Sequence, residues 1–219
     1  MDKKRKVPKF FTKEFWKTYS WKNVLINLGI YLSIFVVTLI IDLVTKGQLF
    51  HWVNKDGKNI GDGKTIYENF LFGFRSVLHA GTTIEIGLTI PGLHVISIII
   101  LLVSIAVSGL LKDKIYRYVI PGFALIASGA TGNMVDRFLF KAVRDIVYLP
   151  WLDTGTFNFA DVWLVFGGIY TLISMLTVIL ISNKKDKNKP EEHSNEVISS
   201  VDFESNNSTI TVDPNQNSL

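Results

Sequence analysis

The sequence predicts a mainly α-helical membrane protein, with four transmembrane helices and a small extracytoplasmic β element. Of the 219 residues, 48% are hydrophobic and only 19% are charged, although both ends of the chain are strongly polar. The apolar residues must therefore concentrate in the middle. There they form runs of about 18–24 residues, the length a helix needs to cross a hydrocarbon core of roughly 30 Å. A core helix of a soluble protein is seldom that long and apolar on every side.

The elements follow in order. Residues 1–23 form a basic, aromatic cytoplasmic or interfacial segment, in which Phe10, Phe11, Phe15, Trp16, Tyr19 and Trp21 stand among lysines. That pairing suits the headgroup region beside anionic lipid, and residues 1–9 read equally well as a solvated basic tail. Lys3 to Val7 (KKRKV) looks like a nuclear import signal, a short pattern with a high false-positive rate that four membrane spans argue against. The first span is read at Val24–Ile41. It exceeds the 7–15 residue apolar region of a cleaved signal peptide and ends in Asp42, so it is expected to be an uncleaved anchor. The remaining spans are read at Gly92–Leu111, Ile115–Val135 and Phe159–Ser182.

Between spans one and two, the outer segment 48–91 holds a turn-rich stretch, Asn54–Lys64, and then Thr65–His79, rich in Phe, Val, Ile and Tyr. This predicts the small β element, at the outer membrane surface. A second outer segment, residues 137–158, is too short to be a domain. The membrane domain is thus residues 24–182, and the polar residues 183–219, rich in Asn, Ser and Lys, are expected to be a disordered cytoplasmic tail.

Orientation follows from the 23 Lys and Arg residues, because cytoplasmic loops hold the excess of positive charge. With the N-terminus inside, fifteen are cytoplasmic and eight are outside, so both termini are expected in the cytoplasm. The pI near 9.1 then needs no nucleic acid to explain it. Cysteine is absent, which excludes a disulfide framework, a thiolate metal site and a cysteine nucleophile.

Inside a bilayer an ionisable side chain is costly, so each one near a span is a functional candidate. Asp42, Asp136 and Asp161 fall at or near the outer ends of spans one, three and four, and Asp145 lies nine residues beyond Asp136. All four carboxylates are expected at one depth, the outer face. Two carboxylates that share a site cannot both ionise easily, so one keeps its proton and serves as acid while the other serves as base. Such a pair can activate water against a peptide carbonyl and protonate the departing nitrogen, with no metal or covalent intermediate. The four histidines show no HExxH spacing and no GxSxG occurs, so neither a metal nor a cofactor is expected. A small ion channel or transporter would also place carboxylates at helix ends. Against it, these carboxylates cluster at one face instead of tracing a path through the midplane, and no inverted repeat is present.

Four blocks then resemble a known family. Asp42-Leu43-Val44-Thr45-Lys46 resembles the D-x-x-[ST]-K segment that closes the first helix of lipoprotein signal peptidases (signal peptidase II). Gly132-Asn133-Met134-Val135-Asp136-Arg137 is similar to their G-N-x-x-D-R block, Val143-Arg144-Asp145 to V-x-D, and Phe157-Asn158-Phe159-Ala160-Asp161 to F-N-x-A-D. The resemblance covers about residues 24–182. It implies an aspartic endopeptidase of the bacterial cell membrane that removes signal peptides from prolipoproteins, cutting before a cysteine modified with diacylglycerol, in a lateral cleft open to membrane lipid. It implies Asp145 and Asp161 as the catalytic pair, near the outer face. Asn133, Asn158 and Arg137 would hold substrate or catalytic groups, and Asp136, Asp42 and Lys46 would support them. The partners are lipid-modified prolipoproteins, and a monomer is expected.

The resemblance departs in one place. The family's N-x-G-[AG]-[AS]-[FW] stretch reads His79-Ala80-Gly81-Thr82-Thr83-Ile84 here, with His where Asn is expected. The acidic residue often found three positions after V-x-D is Tyr148, to which no role falls. Plainer readings stand beside the functional ones. Asp42 and Lys46 at i, i+4 would cap the first helix, Asp136 and Arg137 would be an ordinary charged helix end, and Ala124, Ser128, Gly129, Ala130 and Gly132 would form a close-packing surface. His94 would hydrogen-bond to a neighbouring helix, and His51 and Trp52 would anchor an interface.

Overall fold

The computed structural model of the chain describes residues 20–52, 62–79, 89–111, 114–152 and 155–187. The basic segment up to residue 19, most of Asn54–Lys64, the stretch Ala80–Ile84 and the tail from residue 188 lie outside the described residues. Among the described residues, four helices are long and apolar enough to cross a membrane. They are α1 (Trp21–Leu49), α2 (Ile90–Leu110), α3 (Ile120–Phe140) and α4 (Phe159–Lys187). The strands are β1 (Asp62–Glu68), β2 (Gly73–His79), β3 (Val143–Tyr148) and β4 (Thr156–Phe157). The chain divides into residues 1–178, which hold the sheet, the helices and the site, and residues 179–219, of which the helical end to Lys187 is described.

Helix packing inverts the soluble pattern. The buried stripe of α1 is Asn27, Tyr31, Thr38, Asp42 and Lys46, and that of α2 is Leu93, Ser97, Ser104 and Ser108. Leu32, Val37, Ile40, Val44, Ile99 and Leu102 face outward. Lipid solvates the apolar faces, so polar and small residues supply the contacts between helices. The Tyr31 and Ser104 hydroxyls lie 2.8 Å apart, Thr38 Oγ1 donates to Ser128 at 2.7 Å, and Trp163 Nε1 donates to the Thr38 carbonyl at 3.1 Å. The small residues Gly122 to Gly132 make α3 the buried centre. A Cβ on Gly129 would collide with the Ala160 carbonyl of α4, so only glycine permits this approach.

Several boundaries differ from the sequence reading, and α3 runs five residues past Val135 to Phe140. α1 runs eight residues past Ile41, so Asp42 and Lys46 lie inside the helix and do not cap it. Their charges are tolerated there because they pair with one another and with buried partners on α3. The third span, expected from Ile115, opens as a 3-10 turn, Lys114–Val119, before α3 begins at Ile120. Pro121 explains this, because it lacks an N–H and its ring opposes a continuous α-helix through the preceding turn. α4 continues through Asn183 to Lys187, so the first part of the expected disordered tail is helical.

The four strands form one antiparallel sheet in the order β1-β2-β3-β4. The segment 137–158, expected only as a short connection, supplies β3 and β4. Both outer segments therefore build one element. Phe50, Trp52 and Phe140 stack edge to face where α1 and α3 meet its base.

Candidate active site

The site begins with the first turn of α4. Asn158 precedes the helix and Asp161 sits three residues on, the spacing of a capping box. The Asp161 N–H donates to Asn158 Oδ1 at 3.1 Å, and the Asn158 N–H donates to Asp161 Oδ2 at 3.3 Å. Two helix-start donors are thereby satisfied. The Asn158 amide remains available and donates to Asp145 Oδ1 at 2.8 Å. Asn158 thus ties the two carboxylates into one assembly, reaching Asp145 on β3 with its side-chain amide and Asp161 on α4 with its backbone N–H.

Asp161 is held from a second side. Asn133 on α3 donates its amide to Asp161 Oδ1 at 2.8 Å. The orientation of that amide is set by Lys46, whose ammonium donates to Asn133 Oδ1 at 3.1 Å. Lys46 also bonds Asp42 Oδ2 at 2.9 Å and lies 3.5 Å from Asp136 Oδ2, and all three side chains are fully buried. Asp42 Oδ1 in turn accepts the Ala160 N–H at 2.8 Å, which fixes the start of α4 to α1. A Cβ on Gly132 would strike the Asp42 carboxylate, so that glycine belongs to the site as well as to the helix seam.

The sequence reading missed Arg144. Its guanidinium bonds Asp136 Oδ1 at 2.8 and 3.2 Å, its backbone N–H donates to Asp136 Oδ2 at 2.9 Å, and it stacks on Phe140 with 4.5 Å to the ring centroid. Alternation along a strand turns Arg144 to the opposite face from Asp145. The available signal was a buried helix carboxylate, Asp136, that needed a further cation. Tyr148 also has partners that the sequence did not indicate. It lies over Gly73, its hydroxyl bonds Glu68 and lies 3.1 Å from that of Thr65, and Arg75 stacks on its ring.

The structure therefore links Asp42, Lys46, Asn133, Asp136, Asp145, Asn158 and Asp161 through direct hydrogen bonds and ion pairs. Arg137, almost fully buried at the end of α3, acts electrostatically on Asp161, Asp136 and Asp145. The register pairs Val77 with Asp145 and His79 with Val143, which places His79 on the sheet face of Asp145. His94 meets the Phe138 ring edge to face. The His51 backbone N–H donates to Ser76.

Charge balance decides what this cluster does with protons. Four carboxylates, at positions 42, 136, 145 and 161, face three cations, at positions 46, 137 and 144. Asp145 is 5% exposed. Burial first, and then the neighbouring Asp161 charge, push its carboxyl from the ordinary 3.8 up to about 7. Around neutral pH Asp145 therefore takes up and releases its proton beside a second carboxyl, that of Asp161. Such an arrangement can give and take a proton at one bond.

Comparisons with known proteins place the chain in a family. The family model described as Signal peptidase (SPase) II matches residues 34–177. The lipoprotein signal peptidase of Staphylococcus aureus is 31% identical over 170 residues, covering 76% of this chain and 97% of that protein. The lipoprotein signal peptidase of Pelagibacter ubique (strain HTCC1062) is 37% identical over 116 residues, covering 52% of this chain and 59% of its own length. This chain thus spans under two thirds of that relative. A bacterial membrane enzyme solved by the in meso method at 2.3 Å resolution superposes with a TM-score of 0.56 at 24% identity, covering 75% of this chain and 94% of that one, which supports the fold. With the family match covering well over half of the chain, from within α1 to within α4, the chain belongs to the signal peptidase II family.

Proposed function

We propose that this chain is a membrane aspartic endopeptidase that removes signal peptides from prolipoproteins, cutting before a diacylglyceryl-modified cysteine, with Asp145 and Asp161 as its catalytic pair. The observation that carries the reading is Asn158, whose side-chain amide bonds the Asp145 carboxyl and whose backbone N–H bonds the Asp161 carboxyl, the former pushed up to about 7. Asp161, which accepts the Asn133 amide and the Asn158 N–H, takes the role of base. It removes a proton from water as the water oxygen attacks the scissile carbonyl. Asp145, protonated, gives its proton to the carbonyl oxygen, and the tetrahedral species collapses as the departing nitrogen is protonated. Asn158 and Asn133 keep the carboxyls in register, Arg137 offers a buried cation beside them, and Asp42, Lys46, Asp136 and Arg144 hold that framework.

The lipid chain serves as a handle. Each buried methylene contributes about 0.8 kcal/mol, and a diacylglyceryl group brings the adjacent peptide bond to membrane depth. The test is cleavage of matched lipidated and unlipidated precursors by detergent-solubilised protein. The lipidated precursor should be cut, and Asp145→Asn or Asp161→Asn should abolish cleavage while leaving substrate binding in place. Equal turnover of both precursors would sink the lipid handle, and an active Asn variant would sink the pair. The charge asymmetry further supports cytoplasmic termini and a pair near the outer face. In intact cells an impermeant thiol reagent should therefore label Asn59→Cys and spare Ser194→Cys, and the reverse pattern would overturn that orientation.

A further inference from the structure

Consecutive spans place the end of α3 and the start of α4 at the same face of the membrane. β3 begins three residues after Phe140, and β4 is separated from α4 by Asn158 alone. Because Val147 pairs with Phe157 and Tyr148 with Thr156, the start of α4 lies level with about Asp145, and β3 passes from the end of α3 across the start of α4. The strand therefore lies along the membrane face and does not project from it. Two turns emerge side by side at its far end. One is Asn69–Phe72, which joins β1 to β2 where Glu68 pairs with Gly73, and the other is Leu149–Leu152, after β3. At about 3.3 Å per residue they begin roughly 13 Å from the start of α4 along the strand direction.

These turns are rigid and apolar. Asn69 Oδ1 accepts the N–H groups of Leu71 and Phe72 at 2.8 and 2.9 Å, and the Trp151 indole N–H donates to the Leu71 carbonyl at 2.9 Å. These bonds satisfy the backbone while leaving the side chains outside. Phe70 is 84% exposed, Leu71 61%, Trp151 59% and Leu152 47%. Neither turn contains a charged residue. A contiguous apolar patch of this kind marks an interaction surface, and its combination of Trp and Phe at the level of helix ends is that of a membrane interface.

We propose that the paired turns are a lipid anchor, in which Phe70, Leu71, Trp151 and Leu152 enter the headgroup and acyl boundary of the leaflet on that face. Because Tyr148, on the strand that carries Asp145, packs over Gly73 beside the anchor, lipid contact holds the sheet down over the site. The anchor does not depend on the peptidase reading, since it requires only the topology of α3 and α4.

The chain has no cysteine, so single spin labels report depth directly. Phe70→Cys, Leu71→Cys and Leu152→Cys would be labelled in full-length protein, in nanodiscs of phosphatidylethanolamine and phosphatidylglycerol without substrate. Leu172→Cys, lipid-facing on α4, and Lys184→Cys serve as references. The expected result is a ratio of collisions with oxygen to collisions with an aqueous nickel chelate several-fold above that at Lys184→Cys and approaching that at Leu172→Cys. In Leu152→Cys protein, adding Phe70→Asp and Leu71→Asp together should return the ratio toward the aqueous value, with the melting temperature in detergent unchanged. An aqueous ratio at positions 70 and 71 would overturn the proposal. So would a lipid-like ratio that appears only after a prolipoprotein peptide is added, which would make the turns a substrate surface, or only in discs holding two copies, which would make them a dimer contact.

Discussion

Replacing Asp145 by Asn should stabilise the fold at alkaline pH while abolishing cleavage. The folded carboxyl titrates near 7 against an ordinary 3.8, and each pH unit is about 1.36 kcal/mol, so the folded protein disfavours the ionised form by about 4 kcal/mol. Below about pH 3.8 the group is neutral in both states and has no effect. As pH rises from there, the unfolded chain releases its proton while the folded one keeps it, and stability falls. Above about pH 7 the penalty is complete. The amide of the variant is neutral throughout and still offers an oxygen to the Asn158 amide, so the bridge survives. Near pH 8.5 the variant should thus gain about 4 kcal/mol over the parent, and near pH 5 about 1–2 kcal/mol. Local rearrangement and water entry can halve that difference. With roughly 2–4 °C per kcal/mol for a chain of this size, the advantage in melting temperature should still be about 3–5 °C larger at the higher pH. Intrinsic tryptophan fluorescence during heating in detergent measures it. An advantage that does not grow between pH 5 and 8.5, or a variant less stable than the parent at alkaline pH, would refute the burial argument. Asp161→Asn removes the second cause of the elevation and should flatten the parent's own pH dependence.

Lys46→Met leaves Asp42 and Asp136 buried without their shared cation. It should cost about 3–5 kcal/mol, and adding Asp42→Asn should recover part of the loss in a double-mutant melting cycle. Gly132→Ala drives a methyl into the Asp42 carboxylate, so about 1–3 kcal/mol and most of the activity should disappear. Gly168→Ala, with no atom within 4 Å, should melt like the parent, and similar behaviour of the two variants would contradict the packing. Deleting residues 186–219 should leave the cleavage rate largely unchanged in the precursor assay, and loss of activity in a truncated protein that inserts normally would expose a functional element there.

By itself the sequence determined the four apolar spans and a small β element, and it singled out the ionisable groups beside them. Hydropathy is a local property, because any run of some twenty apolar residues must satisfy its backbone internally in lipid and so becomes a helix. Asp42, Asp136, Asp145 and Asp161 stood out for a related reason, since an ionisable group beside such a run needs an explanation. Tertiary structure decided how those groups act on each other. The length of α1 was not legible because Asp42 and Lys46 look like an ending until their partners on α3 are seen. Arg144 looked like a spacer in V-x-D until strand alternation turned it onto Asp136. The two outer segments read as separate because pairing of β2 with β3 joins residues some seventy positions apart. The proton held by Asp145 depends most of all on tertiary structure, because it follows from burial and from Asp161, which reaches it only once Asn158 closes the start of α4 against β3. Coulomb interactions and desolvation act through distance in space, and the order of residues along the chain does not encode that distance.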